Sequence, residues 1–104
     1  MNEQMNIFDF IEPDPLPGDW IEEDLVGREL SFDEITEMVG RLIVMDMSTS
    51  SHRWYKVVRV ERIVTDKNER RLFYYDGTRQ RGIVSEMFFN PKIQFPARAY
   101  ELKE

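Results

Sequence analysis

Cysteine is absent and histidine occurs once, at position 52. The first absence excludes disulfides, thiolate metal sites and thiol nucleophiles. The second confines imidazole chemistry to one side chain in a polar stretch, Met47 to Arg53. No hydrophobic run approaches the roughly 20 residues of a membrane-spanning helix. Gly77 and Gly82 are isolated, so there is no Gly-rich phosphate loop. Basic residues are nearly missing from positions 1–40, where twelve acids face one base, Arg28, for a net charge of minus eleven. Such an acidic start is unlike a secretory leader, and a cytoplasmic location is expected.

The remaining residues, 41–104, reverse that balance: thirteen bases face eight acids, a net of plus five. An acidic segment attached to a basic body sets what each part attracts. The length of 104 residues fits one small domain.

The stretch from Gly40 to Phe89 reads as strands and tight turns. The run over 41–46 is β-branched and apolar, a buried strand. A second strand is expected over 54–65. Val58 and Val60 point one way and Arg59 and Glu61 the other; Ile63 then breaks the alternation, which predicts a bulge. Asp66 to Glu69 reads as a hairpin turn, and 70–75 as an aromatic strand. Asp76-Gly77 signals another turn. The span 80–87 is a fourth strand, with Gly82 marking a bulge or a close approach. Alternation of Tyr100 and Leu102 against Glu101 and Lys103 predicts a fifth strand over 98–103. Ser31 and Glu34 form a capping box at the start of a helix over 31–39, with Leu30 and Ile35 as its hydrophobic staple.

Residues 1–18 read as an acidic and apolar arm with a Pro-rich linker, since Pro13, Pro15 and Pro17 fix φ and remove donors. Residues 19–104 form the domain. Within it, 19–27 is acidic with Trp20, Ile21 and Leu25 as apolar anchors and reads as a short strand, a turn of helix or a linear motif, and 27–29 reads as a connector. The expected fold is α+β, mainly β: a five-stranded antiparallel SH3-like barrel with one short capped helix and an acidic N-terminal arm.

Val39-Gly40, the pair Trp54-Tyr55, and Tyr75-Asp76-Gly77-Thr78 followed by Ile83-Val84 resemble the Tudor-type, SH3-like small barrels. The resemblance implies five strongly bent strands and a ligand site at one rim, often an aromatic cage for methylated side chains. By position, Trp54, Tyr55, Tyr74 and Tyr75 would line it. Adjacent strand residues point to opposite faces, so at most half of the four share a rim; the competing role is core filling. Gln4-Met5-Asn6-Ile7-Phe8 resembles the peptide by which bacterial replication and repair proteins dock on the DNA sliding clamp: an amide anchor, then two apolar plugs. In general look the chain resembles short bacterial and mobile-element proteins.

Catalysis finds no support in the sequence. Ser51-His52 are loop neighbours without an orienting acid, Asp76 is explained by its turn, and the carboxylates of 19–24 lack the pattern of a calcium loop. No metal or cofactor is expected. The expected function is a non-enzymatic protein-interaction adaptor whose contacts are Gln4, Ile7, Phe8, Phe10, Trp20, Trp54, Tyr55, Tyr74 and Tyr75, with an unidentified protein as partner. The alternative is a nucleic-acid-binding accessory using Arg53, Lys56, Arg59, Arg62, Arg70, Arg71, Arg79 and Arg81. Those cations are interleaved with aromatics, which together grip phosphates and stack bases; the competing role is a merely solvated sheet face.

Overall fold

The computed structural model describes residues 15–49, 51–79 and 81–103. Its architecture is a single antiparallel sheet of seven strands. These are β1 (Trp20–Ile21), β2 (Val26–Leu30), β3 (Leu42–Asp46), β4 (Tyr55–Asp66), β5 (Glu69–Tyr75), β6 (Arg81–Ser85) and β7 (Ala99–Leu102). The strand order is β2-β7-β3-β4-β5-β6, with β1 added to β4. The order begins at β2 and ends at β6, which are not bonded to each other, so the sheet is open.

This corrects the expected five-stranded closed barrel. Two strands come from the acidic 19–30 segment, where the sequence left a short strand as one of three readings and counted none toward the barrel. β2 takes the outer edge of β7, and β1 takes the stretch of β4 that β5 leaves unpaired. β7 is thereby flanked on both sides, and among the described residues the free edges fall on β2, β6 and the outer side of β1. Among the described residues, no helix is long and apolar enough to cross a membrane.

The spans of β3 to β7 differ from the sequence reading by at most two residues at either end. The β4–β5 hairpin turns through Lys67 and Asn68, both at positive φ (51° and 67°), which matches the twist of a two-residue hairpin. The phase slip before Ile63 is a bulge: Val60 pairs with Tyr74 and Arg62 with Phe73, leaving Glu61 as the extra residue.

Helix α1 spans Phe32–Thr36, contracted from the expected 31–39. Its capping box is present: Ser31 Oγ accepts from the Glu34 amide at 3.2 Å, and Glu34 Oε1 accepts from the Ser31 amide at 2.9 Å. The contraction has a local cause. Tight i→i−3 bonds from Glu37 and Met38 wind down the last turn, and Gly40 exits at φ +85° to donate to the Val60 carbonyl. β4 therefore captures the chain before the helix can continue. Phe32 and Ile35 of α1 pack with Leu30, Ile43, Met45, Val58, Val60, Leu72 and Ala99, all buried, on one sheet face. Burial of that cluster is the main stabilising term. The opposite face is closed only at the β3–β4 end, where Val44, Tyr55 and Val57 are buried.

Candidate binding surfaces

Alternation along β4, β5 and β6 sorts the predicted site residues between the two faces. Tyr74 points to the core face, where its ring lies across Gly82 on β6. Tyr75 points outward. Tyr55 is buried with its ring edge-on to Tyr100 at 6.2 Å, whereas Trp54 is exposed. The four aromatics Trp54, Tyr55, Tyr74 and Tyr75 are thus not gathered at one rim, and no aromatic cage forms from them. Gln4, Ile7, Phe8 and Phe10 lie outside the described residues.

Trp54 meets a different partner. β1 pairs with the start of β4 in the register Trp20 to Lys56 and Ile21 to Tyr55. Hydrogen bonds from Gly18 N to Val57 O (2.7 Å) and from Val57 N to Asp19 O (2.8 Å) extend that pairing. Trp20 then stands edge-on to Trp54, with ring centroids 5.6 Å apart. His52 stacks on the far side of Trp54 at 5.9 Å, and Lys56 Nζ lies 5.1 Å from the Trp20 ring. Despite these contacts Trp20 stays 55% exposed and Trp54 46%. A reciprocal close approach holds β1 there. Gly18 (φ +97°) and Gly77 (φ +89°) abut so closely that a Cβ on either would sit 2.6 Å from a backbone oxygen of the other turn. Asp76, beside Gly77, accepts two hydrogen bonds from Thr78, which hold its carboxyl below the usual range; Lys56 at 3.5 Å adds to the effect.

The outer face of β4, β5 and β6 forms a second surface. Cross-strand register aligns Arg59, Tyr75 and Arg81 in one row and Arg62, Phe73 and Ile83 in the next. Both arginines of the first row flank Tyr75, at 5.1 and 5.0 Å from its ring centre. Arg62 lies 4.5 Å over Phe73. Glu61, the bulged residue, reaches Arg81 at 2.9 Å and Arg59 at 3.6 Å. The first row opens into a cleft of about 630 Å³, lined by Arg59, Tyr75, Gly77, Thr78, Arg79 and Arg81.

The structure draws other predicted cations away from this face. Arg70 lies on the core side, bonded to Glu86 and to Asp33 at 2.7 Å, with its guanidinium 4.9 Å from the Phe32 ring. These bonds push its pKa up and hold the Glu86 carboxyl low. Lys56 belongs to the Trp20 cluster, and Arg53 donates to the Tyr55 hydroxyl. Arg71 stays outward, paired with Glu69 at 3.4 Å.

Exposed Ile83, Met87, Phe88 and Phe95 are not among the contact residues expected from the sequence. Phe88 and Phe95 border a cleft of about 410 Å³ with Val84, Pro96 and Arg98. Phe95 adopts φ +61°, a backbone state no sequence pattern here announces. No protein-family model, curated protein or solved structure gives a significant match to the chain.

Proposed function

We propose that this protein is a non-enzymatic adaptor that grips a partner protein through the Trp20–Trp54 cluster. One observation carries the reading: two tryptophans distant in sequence are brought edge to face, and each keeps about half its surface in solvent. Tryptophan is the side chain most enriched at interface hot spots, where a rigid ring fills a pocket. The neighbouring Lys56 and His52 supply a polar margin to an apolar centre. Pairing of β1 with β4 and a glycine-to-glycine contact fix Trp20 in place, so little ordering entropy is lost on binding.

The test is affinity capture with the intact chain, followed by reconstitution with each purified protein recovered; purified sliding clamp is included as a bait for the 4–8 peptide. Binding is expected to survive about 0.5 M salt, because apolar contacts are not screened. Trp20→Ala and Trp54→Ala should each weaken it at least tenfold, about 1.4 kcal/mol. Partners bound equally by both variants, with the fold intact by circular dichroism, would refute the proposal.

A further inference from the structure

We infer that the outer face of β4–β5–β6 binds single-stranded nucleic acid, on a side of β4 that does not include Trp20 and Lys56. The argument begins with charge. This face presents Arg59, Arg62, Arg71, Arg79 and Arg81 against three carboxylates, Glu61, Asp66 and Glu69. Among the described residues, neither Arg62 nor Arg79 has a carboxylate partner. Among the described residues, the cleft at the β5–β6 turn is lined by three arginines and no acid. A polyanion complements that arrangement, although the chain as a whole carries minus six.

Geometry then selects among polyanions. Each row sets at least one guanidinium 4.5–5.1 Å from an aromatic ring centre, so the face offers cationic, aromatic platforms for bases. Phe73 and Tyr75 are two residues apart on β5, and strands rise about 3.3 Å per residue, so the platforms repeat every ~6.6 Å. That is roughly twice the 3.4 Å step of stacked bases, which suits an unstacked single strand with one base per row. Glu61 sits between Arg59 and Arg81 and sets their orientation, while part of each guanidinium fork stays available to phosphate. An acidic polypeptide would satisfy the charge but has no regular use for the stacked rows.

The experiment is fluorescence anisotropy of the intact chain with labelled dT20 and U20, a 20-base-pair duplex of mixed sequence, and unlabelled 20-residue poly-Glu as competitor. In 50 mM salt, dT20 or U20 should bind at least tenfold more tightly than the duplex; which of the two is preferred identifies DNA or RNA. The log–log salt slope should be about −2, for three phosphates on a single strand. Arg62→Glu with Arg79→Glu, both exposed and, among the described residues, without ion pairs, should cost at least tenfold with thermal stability unchanged. Phe73→Leu should cost several-fold, and Trp20→Ala nothing, which separates this surface from the adaptor cluster. The inference is overturned by no binding in 50 mM salt, by equal duplex binding, by poly-Glu displacing the strand as well as unlabelled oligonucleotide does, or by indifference to the double charge reversal.

Discussion

Replacing Gly82 with alanine probes the closest packing in the sheet. A Cβ at this position would lie 2.1 Å from Tyr74 Cζ and 2.2 Å from both Cε atoms, so the ring must leave. Gly82 pairs directly with Tyr74 across β5 and β6, and its backbone is the surface that the ring covers. A buried aromatic removes about 150–250 Å² from water, and re-exposing roughly 100 Å² of it costs about 2.5 kcal/mol. Alanine in a strand returns about 0.5–1 kcal/mol relative to glycine. The net loss is about 1.5–2 kcal/mol, a Tm lower by roughly 6–16 °C for a domain of this size. Thermal denaturation followed by circular dichroism measures it. The Tyr74 phenol gives a second readout: burial raises its pKa, and in the variant it should titrate nearer the ordinary tyrosine range. In a Tyr74→Leu background the same glycine change should cost little. A Gly82→Ala protein melting within about 2 °C of the parent would refute the packing argument.

Gly77→Ala places a Cβ against the Pro17 carbonyl at 2.6 Å and should detach β1; the Trp20 emission is then expected to shift red, and an unchanged spectrum would count against the glycine contact. Arg70→Met removes the bonds to Glu86 and Asp33 but keeps an apolar stem over Phe32. Its Tm should fall in low salt, with a smaller difference from the parent in about 1 M salt, where ion pairs are screened; no loss in low salt refutes the bridging role. Acid should destabilise the protein. The Glu34, Glu69, Asp76 and Glu86 carboxyls are all held low in the folded state, by the Ser31 amide, the Ser85 hydroxyl, Thr78 and Arg70 respectively. A depressed carboxyl contributes stability above its unfolded pKa, about 4, and loses it as pH falls through the lower folded value. Tm should therefore drop below about pH 4, and a Tm that stays flat or rises there contradicts the assignment.

Several features are legible in the sequence alone because their causes are local. The capping box needs only Ser31 and Glu34 at the right spacing. Ile63 out of phase announced the bulge, and the opposed faces of Trp54 and Tyr55 follow from strand geometry. β2 was not legible, and β1 was only one of three readings that 19–27 allowed. Trp20–Ile21 is too short to show a period, and β2 pairs with β7 through a register shift between Val26 and Glu29 that breaks its alternation. Both strands exist because distant partners, β4 and β7, offer unpaired backbone. The missing barrel closure has the same origin: a bulge reports curvature, but which edges meet depends on strand order. Likewise, the Arg–aromatic character of the middle strands was visible in sequence. That Arg70 serves the core side while Arg59 and Arg81 share Tyr75 depended on register.

β4 runs for 12 residues and accepts β3, β5 and β1. The β4–β5 hairpin closes over a turn of two residues, whereas β1 returns from far upstream to a register of two pairs. Closing that long loop costs entropy that few contacts repay, so β1 should join last and leave first. In hydrogen exchange, the Val57 amide that donates to Asp19 should then lose protection through a local opening, while the amides of β4 facing β3 wait for global unfolding. The tryptophan pair would therefore assemble only after the rest of the molecule has folded, and its formation would report on a completed sheet.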